Sequence, residues 1–209
     1  MERPRRRRAE TVERLLDAAL ETFADIGFAA ASVEDICSRG GFTRGAFYSS
    51  FRTKDELFAA LYVRETGREL ARVAEQLTGI EDERDPVAAG VERCLSTFRA
   101  DRTWVLVTTE YTLHAARHPE AAEALREHTA ALHDQLTALI ESTAARSGLA
   151  LAVPAADLAR ILLALHDGVV VHEVVPQFPD GAASTAGADL ERTALLLLLR
   201  AAIAGPITD

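Results

Sequence analysis

Cysteine, aromatic residues and long hydrophobic runs are all scarce in this sequence. Only two cysteines, Cys37 and Cys94, occur among 209 residues. Their spacing gives neither a disulfide framework nor a metal cluster, which predicts a reducing, cytoplasmic setting. The most apolar run, residues 194–205, is shorter than the roughly 20 residues that span a bilayer. No apolar signal-peptide segment follows the N-terminal arginines, so we expect a cytoplasmic protein with no membrane partner.

Patterns that carry catalysis are missing as well. The sequence has no glycine-rich phosphate loop, no nucleophile elbow and no local Ser/His/Asp arrangement. His114 and His118 are one helical turn apart, but a zinc site needs further ligands, and residues 166–167 and 172–173 do not have a zinc spacing. We therefore predict no enzyme activity, no metal and no cofactor.

Basic residues are fewer than acidic ones, 23 against 32, and the formal net charge is −9. The imbalance is not uniform, because residues 1–54 carry ten basic and eight acidic residues, whereas residues 55–209 carry thirteen and twenty-four. Such asymmetry indicates nucleic-acid binding by the basic part. Arg3 and Arg5–Arg8 form a basic arm, which either contacts a DNA groove or is a solvated tail.

The sequence predicts an all-α protein of about nine helices, since alanine and leucine dominate and no strand pattern of useful length occurs. Ser32 with Asp35, Thr43, and Thr53 with Glu56 are expected helix caps. The predicted helices cover about 10–26, 32–40, 43–49, 54–76, 87–100, 103–117, 119–146, 154–175 or 157–175, and 189–204, with a linker at 176–188 and a stop at Gly205 and Pro206.

Aromatic residues are concentrated near the N-terminus, where eight of the twelve lie within the first 62 residues. A three-helix unit of some fifty residues has little core volume, and large rings are one way to fill it. We therefore predict an N-terminal domain at 1–54, with the basic arm, and a larger helical domain at 55–209.

The segment TRGAFYSSF, residues 43–51, forms the second helix of a predicted helix-turn-helix, the element that enters the DNA major groove. The Thr43 hydroxyl can cap this helix or bind a phosphate, and Arg44 can reach a guanine edge or a phosphate. Gly45 costs about 1 kcal/mol relative to alanine, which predicts a close approach to DNA or to the preceding helix. Phe47 and Phe51 are expected to point inward.

Two further side chains complete this predicted DNA surface. The Tyr48 hydroxyl suits a phosphate oxygen, although a half-buried core ring is the alternative. Lys54 stands at the start of a capped helix, where its charge opposes the helix dipole, a placement that makes sense if a phosphate binds there.

Residues 11–62 resemble the DNA-binding domain of the TetR family of transcriptional regulators. The resemblance is carried by Thr43, Gly45, Tyr48 and Phe51, followed by Lys54, within SVEDICSRGGFTRGAFYSSFRTKDELFAALY. It implies a homodimer on a palindromic operator and a C-terminal domain that binds a small ligand and dimerises. Family DNA contacts carried over by position fall on Ser32, Thr43, Arg44, Tyr48 and Lys54. Ser50 and Gly40 depart from the usual pattern.

The last two helices, about 157–175 and 189–204, are apolar around much of their surface, and a helix of this kind must be buried. We predict that they pair with their copies in a four-helix bundle, with an ordinary central core helix as the alternative. The residues available to line an effector pocket, for each of which core packing is the alternative, are Phe98, Trp104, Tyr111, His114, His166 and Phe178.

The sequence thus predicts a ligand-responsive DNA-binding homodimer that acts as a repressor and is released from a palindromic operator by a largely apolar small molecule. A helical protein-interaction module without specific DNA binding is the alternative. An all-α enzyme that uses the body cavity is a third reading.

Overall fold

The computed structural model describes the backbone of residues 2–97, 102–174 and 183–206. Side chains are described for the same residues except 2–7, 97, 172–174, 183–188 and 205–206. The part described contains nine α-helices, a short 3-10 helix at Ile80–Asp82 and two strands. The α-helices are α1 Glu2–Ile26, α2 Val33–Gly40, α3 Arg44–Tyr48, α4 Lys54–Gln76, α5 Pro86–Thr97, α6 Arg102–Ala115, α7 Pro119–Arg146, α8 Ala155–Val174 and α9 Ala183–Ala202. The predicted all-α class is confirmed.

The first and last helices begin earlier than predicted. The first helix begins at Glu2 instead of residue 10, because arginine and glutamate favour helix and a proline is tolerated in the first turn. Helix α9 begins at Ala183, inside the predicted linker, where the sequence is alanine-rich; residues 175–182 lie outside the described part.

The chain also forms a small antiparallel sheet that the sequence pattern did not indicate. Strand β1, Leu149–Leu151, pairs with strand β2, Ile203–Pro206, and the register shifts between Ala150 and Leu151. The last helix therefore ends at Ala202 and not at the predicted stop near Gly205, because the backbone beyond it bonds to β1 and not to a helical turn. Strands of three and four residues are too short to be recognised by an alternation of apolar and polar residues.

The predicted caps form. The Ser32 and Thr43 hydroxyls accept hydrogen bonds from the third helical N–H of α2 and α3, and the Ser32–Asp35 box is complete. Thr53 Oγ1 accepts from Glu56 N at 3.0 Å. The Glu56 carboxylate, however, accepts from Arg52 N at 2.8 Å, one residue before the expected partner.

The chain divides into two compact units. The first comprises Met1–Thr66 and Asp101–His128, and the second comprises Gly67–Ala100 and Thr129–Asp209. Compactness thus groups α6 with the N-terminal helices. The predicted domain boundary between residues 54 and 55 stays a prediction.

An aromatic core holds the first unit together. The Phe58 and Tyr111 rings stack with centroids 3.5 Å apart, and Phe28 meets Tyr111 edge-on at 4.8 Å. Phe47 and Phe51 point inward as predicted, since both are buried. Burying a large ring contributes roughly 1.5–3 kcal/mol, so these residues fix α3 against α1, α2 and α4 without using its outer face.

Candidate nucleic-acid interface

Helices α2 and α3 are joined by a tight turn that begins at a left-handed glycine. Gly41 has φ of 70°, and the backbone N–H of Phe42 donates to the Cys37 carbonyl at 2.8 Å. Thr43 then caps α3 through a hydrogen bond from Ala46 N at 3.2 Å. This is a helix-turn-helix, and the caps that build it are the ones predicted from the sequence.

The outer face of α3 carries four of the predicted DNA-binding residues. Thr43, Arg44, Gly45 and Tyr48 are all exposed. Tyr48 keeps 49% of its surface accessible while its ring meets Phe47 edge-on at 5.2 Å. About half of Tyr48 is thus covered, and both the phosphate contact of its hydroxyl and the alternative of a half-buried core ring stay predictions.

Among the residues that the structure describes, no neighbour of Gly45 requires a glycine at this position. A Cβ built at this position would meet only Thr43 Oγ1, at 3.7 Å, which is an ordinary contact. The predicted close approach to the preceding helix is wrong, since α2 does not reach this position. The predicted close approach of Gly45 to DNA stays a prediction.

Arg44 is held by a neighbouring carboxylate. Its Nη1 lies 2.5 Å from Glu34 Oε1 of α2, and its guanidinium lies 5.7 Å from the centroid of the Tyr48 ring. Both partners of the ion pair are more than half exposed. Sequence reasoning missed Glu34, because its position beside Arg44 depends on how α2 packs against α3.

Lys54 has partners inside the protein. Its Nζ donates to the carbonyl oxygens of Phe28, at 2.5 Å, and Ala31, at 2.7 Å, and lies 4.4 Å from the centroid of the Phe28 ring. Burial lowers the pKa of the Lys54 ammonium. The ammonium thus ties the start of α4 to the connection between α1 and α2, while the predicted phosphate contact stays a prediction.

Ser32 is similarly committed within the chain. Its hydroxyl accepts from Asp35 N at 3.1 Å and donates to Asp35 Oδ2 at 2.5 Å. This hydrogen bond to Ser32 lowers the pKa of the Asp35 carboxyl. A DNA contact of Ser32 stays a prediction.

Gly40, which departs from the usual family pattern, is explained by its neighbours. A Cβ here would lie 2.8 Å from Cδ2 of the Phe42 ring and 3.1 Å from Cβ of Ala18. The Phe42 ring in turn lies under the Arg14 guanidinium, 4.8 Å from its carbon. A bulky residue at position 42 and a glycine at position 40 therefore belong together.

The basic arm continues α1 as helix. Arg8 Nη2 donates to the carbonyl oxygen of Ser49, the C-cap residue of α3, at 3.2 Å. This bond places the N-terminal part of α1 beside the end of α3, an arrangement that the sequence alone does not indicate. The side chains of residues 2–7 lie outside the described part, so DNA contact by the arm stays a prediction.

The predicted pocket residues that the structure describes are divided between the two units. Tyr111 and His114 lie in the first unit, where the Tyr111 hydroxyl and His114 Nε2 share Asp55 Oδ1 at 3.3 and 3.2 Å. Burial raises the pKa of the Tyr111 hydroxyl. Trp104 packs on Tyr62 in the same unit, at 5.9 Å between ring centroids. Phe98 and Phe178 lie outside the described residues.

His166 lies in the second unit, between two glutamates. Its Nδ1 is 3.3 Å from Glu191 Oε1, and its Nε2 is 3.8 Å from Glu69 Oε1. Burial lowers the pKa of His166, but the hydrogen bond to Glu191 and the nearby carboxylates outweigh burial, so the pKa lies above its ordinary value. The ligand-binding role predicted for His166 and for the other pocket residues stays a prediction.

One crevice is present in the first unit, with about 170 Å³ of empty space. This volume includes open solvent, so the crevice is not an enclosed ligand cavity. Its walls include Phe58, Tyr62, Tyr111, Leu125 and His128.

Within the described ranges, no set of three His, Cys, Asp or Glu side chains is arranged to hold a metal ion. No helix in that part of the chain is both long and apolar enough to cross a membrane.

Two sequence models of known protein families match most of this chain. Residues 15–61 match the sequence model of bacterial regulatory proteins of the tetR family, and residues 83–199 match that of the C-terminal domain of BetI-type transcriptional repressors. The protein is therefore a helix-turn-helix DNA-binding regulator of transcription, and not an enzyme. The chain belongs to the TetR family, as its resemblance over residues 11–62 implied.

Individual relatives span different shares of the chain. An uncharacterized HTH-type transcriptional regulator of Mycobacterium tuberculosis is 34% identical over 85 residues, which cover 41% of this chain and only 44% of that protein. The regulator UidR of Escherichia coli is 26% identical over 160 residues, or 77% of this chain and 80% of UidR. The structure of Salmonella enterica GusR superimposes with a TM-score of 0.69 at 26% identity, covering 91% of this chain and 96% of GusR.

Proposed function

We propose that the protein is a cytoplasmic repressor that binds a palindromic operator as a homodimer and leaves it when a small, largely apolar effector binds. The observation that carries the DNA assignment is the outer face of α3. It combines an exposed Tyr48, an exposed Arg44 and Gly45, which no contact with the described residues requires. The repressor assignment is supported by the match to the BetI-type C-terminal domain.

The proposed contacts divide by chemistry. Thr43 and Tyr48 present hydroxyls to phosphate oxygens, Arg44 reads a base edge, and Gly45 lets the backbone approach the duplex. Ser32 and Lys54 contribute mainly by fixing α2 and the start of α4, since their polar groups are already bonded inside the chain. Because the contacts include phosphates, affinity should fall steeply with salt.

The homodimer is proposed to form through α8 and α9. Leu190 and Leu197 of α9 are 65% and 68% exposed, and Ile161 and Val171 of α8 are also exposed. Large apolar side chains exposed along two helices are typical of a protein–protein interface. In such a dimer the two helix-turn-helix units are related by a twofold axis. They then face major grooves about 34 Å apart.

Effector release is proposed to work by a population shift: the effector binds better to dimers whose recognition helices do not match adjacent grooves. The pocket residues that we propose are those named from the sequence, with His166 as the polar anchor, since it lies between Glu69 and Glu191.

Selection of operators from random duplex DNA tests this function. We expect an enriched palindrome whose half-sites lie about one helical turn apart, bound by a dimer. Recovery of no sequence, together with binding to a protein partner only, would instead favour the protein-interaction module.

A further inference from the structure

Glu34 places a carboxylate on the surface that we assign to DNA. It lies in the first turn of α2, and its Oε1 is 2.5 Å from Nη1 of Arg44, the first residue of α3. The two side chains are 54% and 61% exposed, so both are accessible to a duplex. A carboxylate beside phosphates is repelled, and its presence here therefore needs a compensating interaction.

Two interactions can compensate a carboxylate at a DNA surface. One is pairing with an arginine, which the structure shows. The other is acceptance of a hydrogen bond from the amino group of cytosine, which the major groove presents. An arginine has five N–H donors, so Arg44 can keep Glu34 and still donate to guanine O6 and N7. The guanine acceptors and the cytosine amino group are neighbours in one G·C pair.

We propose that Glu34 is a specificity-determining residue, which holds Arg44 toward a guanine edge and itself accepts from the cytosine amino group. This inference rests on the proposed assignment of the α3 outer face to DNA. On non-operator DNA the carboxylate keeps part of the guanidinium occupied and repels phosphates. Glu34 thus weakens binding to the wrong sequence more than binding to the right one.

The experiment compares Glu34→Gln with the wild type on the selected operator and on a scrambled duplex of equal length. Glu34→Gln should bind the scrambled duplex more tightly and lower the ratio of operator to scrambled affinity by about tenfold. Replacing the contacted G·C pair by A·T should cost the wild type about tenfold more affinity than it costs the variant.

Glu21→Gln is the matched control, because Glu21 is also an exposed carboxylate of the first unit beside an arginine, 3.6 Å from Arg39. It removes the same charge and should leave the affinity ratio unchanged. Equal effects of the two substitutions on both duplexes would show a net-charge effect and overturn the proposal.

Glu34 also favours α2 as an acidic residue in its first turn, so a second variant guards against lost folding. Glu34→Asp keeps the charge but shortens the side chain by one methylene, and should also lower the affinity ratio. An unchanged ratio in folded Glu34→Asp and Glu34→Gln overturns the proposal. A wild type that binds neither duplex at low salt would instead refute the proposed function itself, and the inference with it.

Discussion

Lys54 Nζ lies 2.5 Å from the carbonyl oxygen of Phe28 and 4.4 Å from the centroid of that residue's ring. One ammonium therefore satisfies a carbonyl and packs on a core aromatic at the junction of α4 with the α1–α2 connection. This contact makes Lys54 a structural residue of the DNA-binding unit, whatever its additional role on DNA.

Lys54→Ala should lower the free energy of unfolding by about 1–3 kcal/mol, because it leaves two carbonyl oxygens without their charged donor. Arg52→Ala is the control, since the Arg52 side chain is 89% exposed and its loss should cost no more than about 0.5 kcal/mol. Urea denaturation measures both. Lys54→Ala could instead leave the stability unchanged and reduce the slope of log DNA affinity against log salt concentration by about one. That result would assign Lys54 to a phosphate contact.

Gly40→Ala should destabilise the protein by about 1–3 kcal/mol, because the new Cβ meets the Phe42 ring at 2.8 Å. Adding Phe42→Leu should recover part of the loss, since the two substitutions share one contact. Thermal melts of the single and double variants check this. A Gly40→Ala protein as stable as the wild type would show that the ring moves aside.

Leu190→Glu combined with Leu197→Glu should convert the proposed dimer into a monomer, because the charges would be buried in the α8–α9 interface. Light scattering at micromolar concentration measures the mass. Val63→Glu, an equally polar change at an exposed position of α4 in the first unit, should remain dimeric. A wild type that is itself monomeric contradicts the interface.

His166→Gln should cost more stability at pH 6 than at pH 9. The pKa of folded His166 lies above its ordinary value: burial lowers it, but Glu191, Glu69 and Asp167 outweigh burial. A raised pKa in the fold means that stabilisation is fully present below the unfolded pKa of 6.5 and is lost as pH rises through the folded pKa. Urea titrations at fixed protein concentration check this, with exposed His118→Gln as the control. Equal losses at both pH values would exclude a protonated His166.

The sequence predicted the helix-turn-helix almost residue by residue, because its signals are local. Ser32 and Thr43 are caps, and Gly41 ends α2 in a conformation that glycine adopts easily. The contacts between residues of different helices were not predictable in the same way. Glu34 next to Arg44, and Arg8 beside Ser49, depend on how separate helices pack, which single-sequence periodicity does not encode.

The body of the protein was harder to predict for the same reason. Tyr111 and His114 were expected to line a pocket because they are polarisable groups on a body helix. The fold places α6 beside Asp55, so that both side chains bond to one carboxylate, a contact that the sequence did not indicate. The two short strands are set by pairing between segments more than fifty residues apart, and so left no local signal.

Gly45→Ala gives the most direct test of the central claim, that the outer face of α3 lies against DNA. Among the described residues, a methyl group at this position would meet only Thr43 Oγ1, at 3.7 Å, and alanine favours helix over glycine by up to about 1 kcal/mol. Unfolding and operator affinity, measured on the same preparation, should therefore move in opposite directions: stability equal or higher, and affinity at least tenfold lower. A variant that is stable and binds its operator as tightly as the wild type would contradict the account.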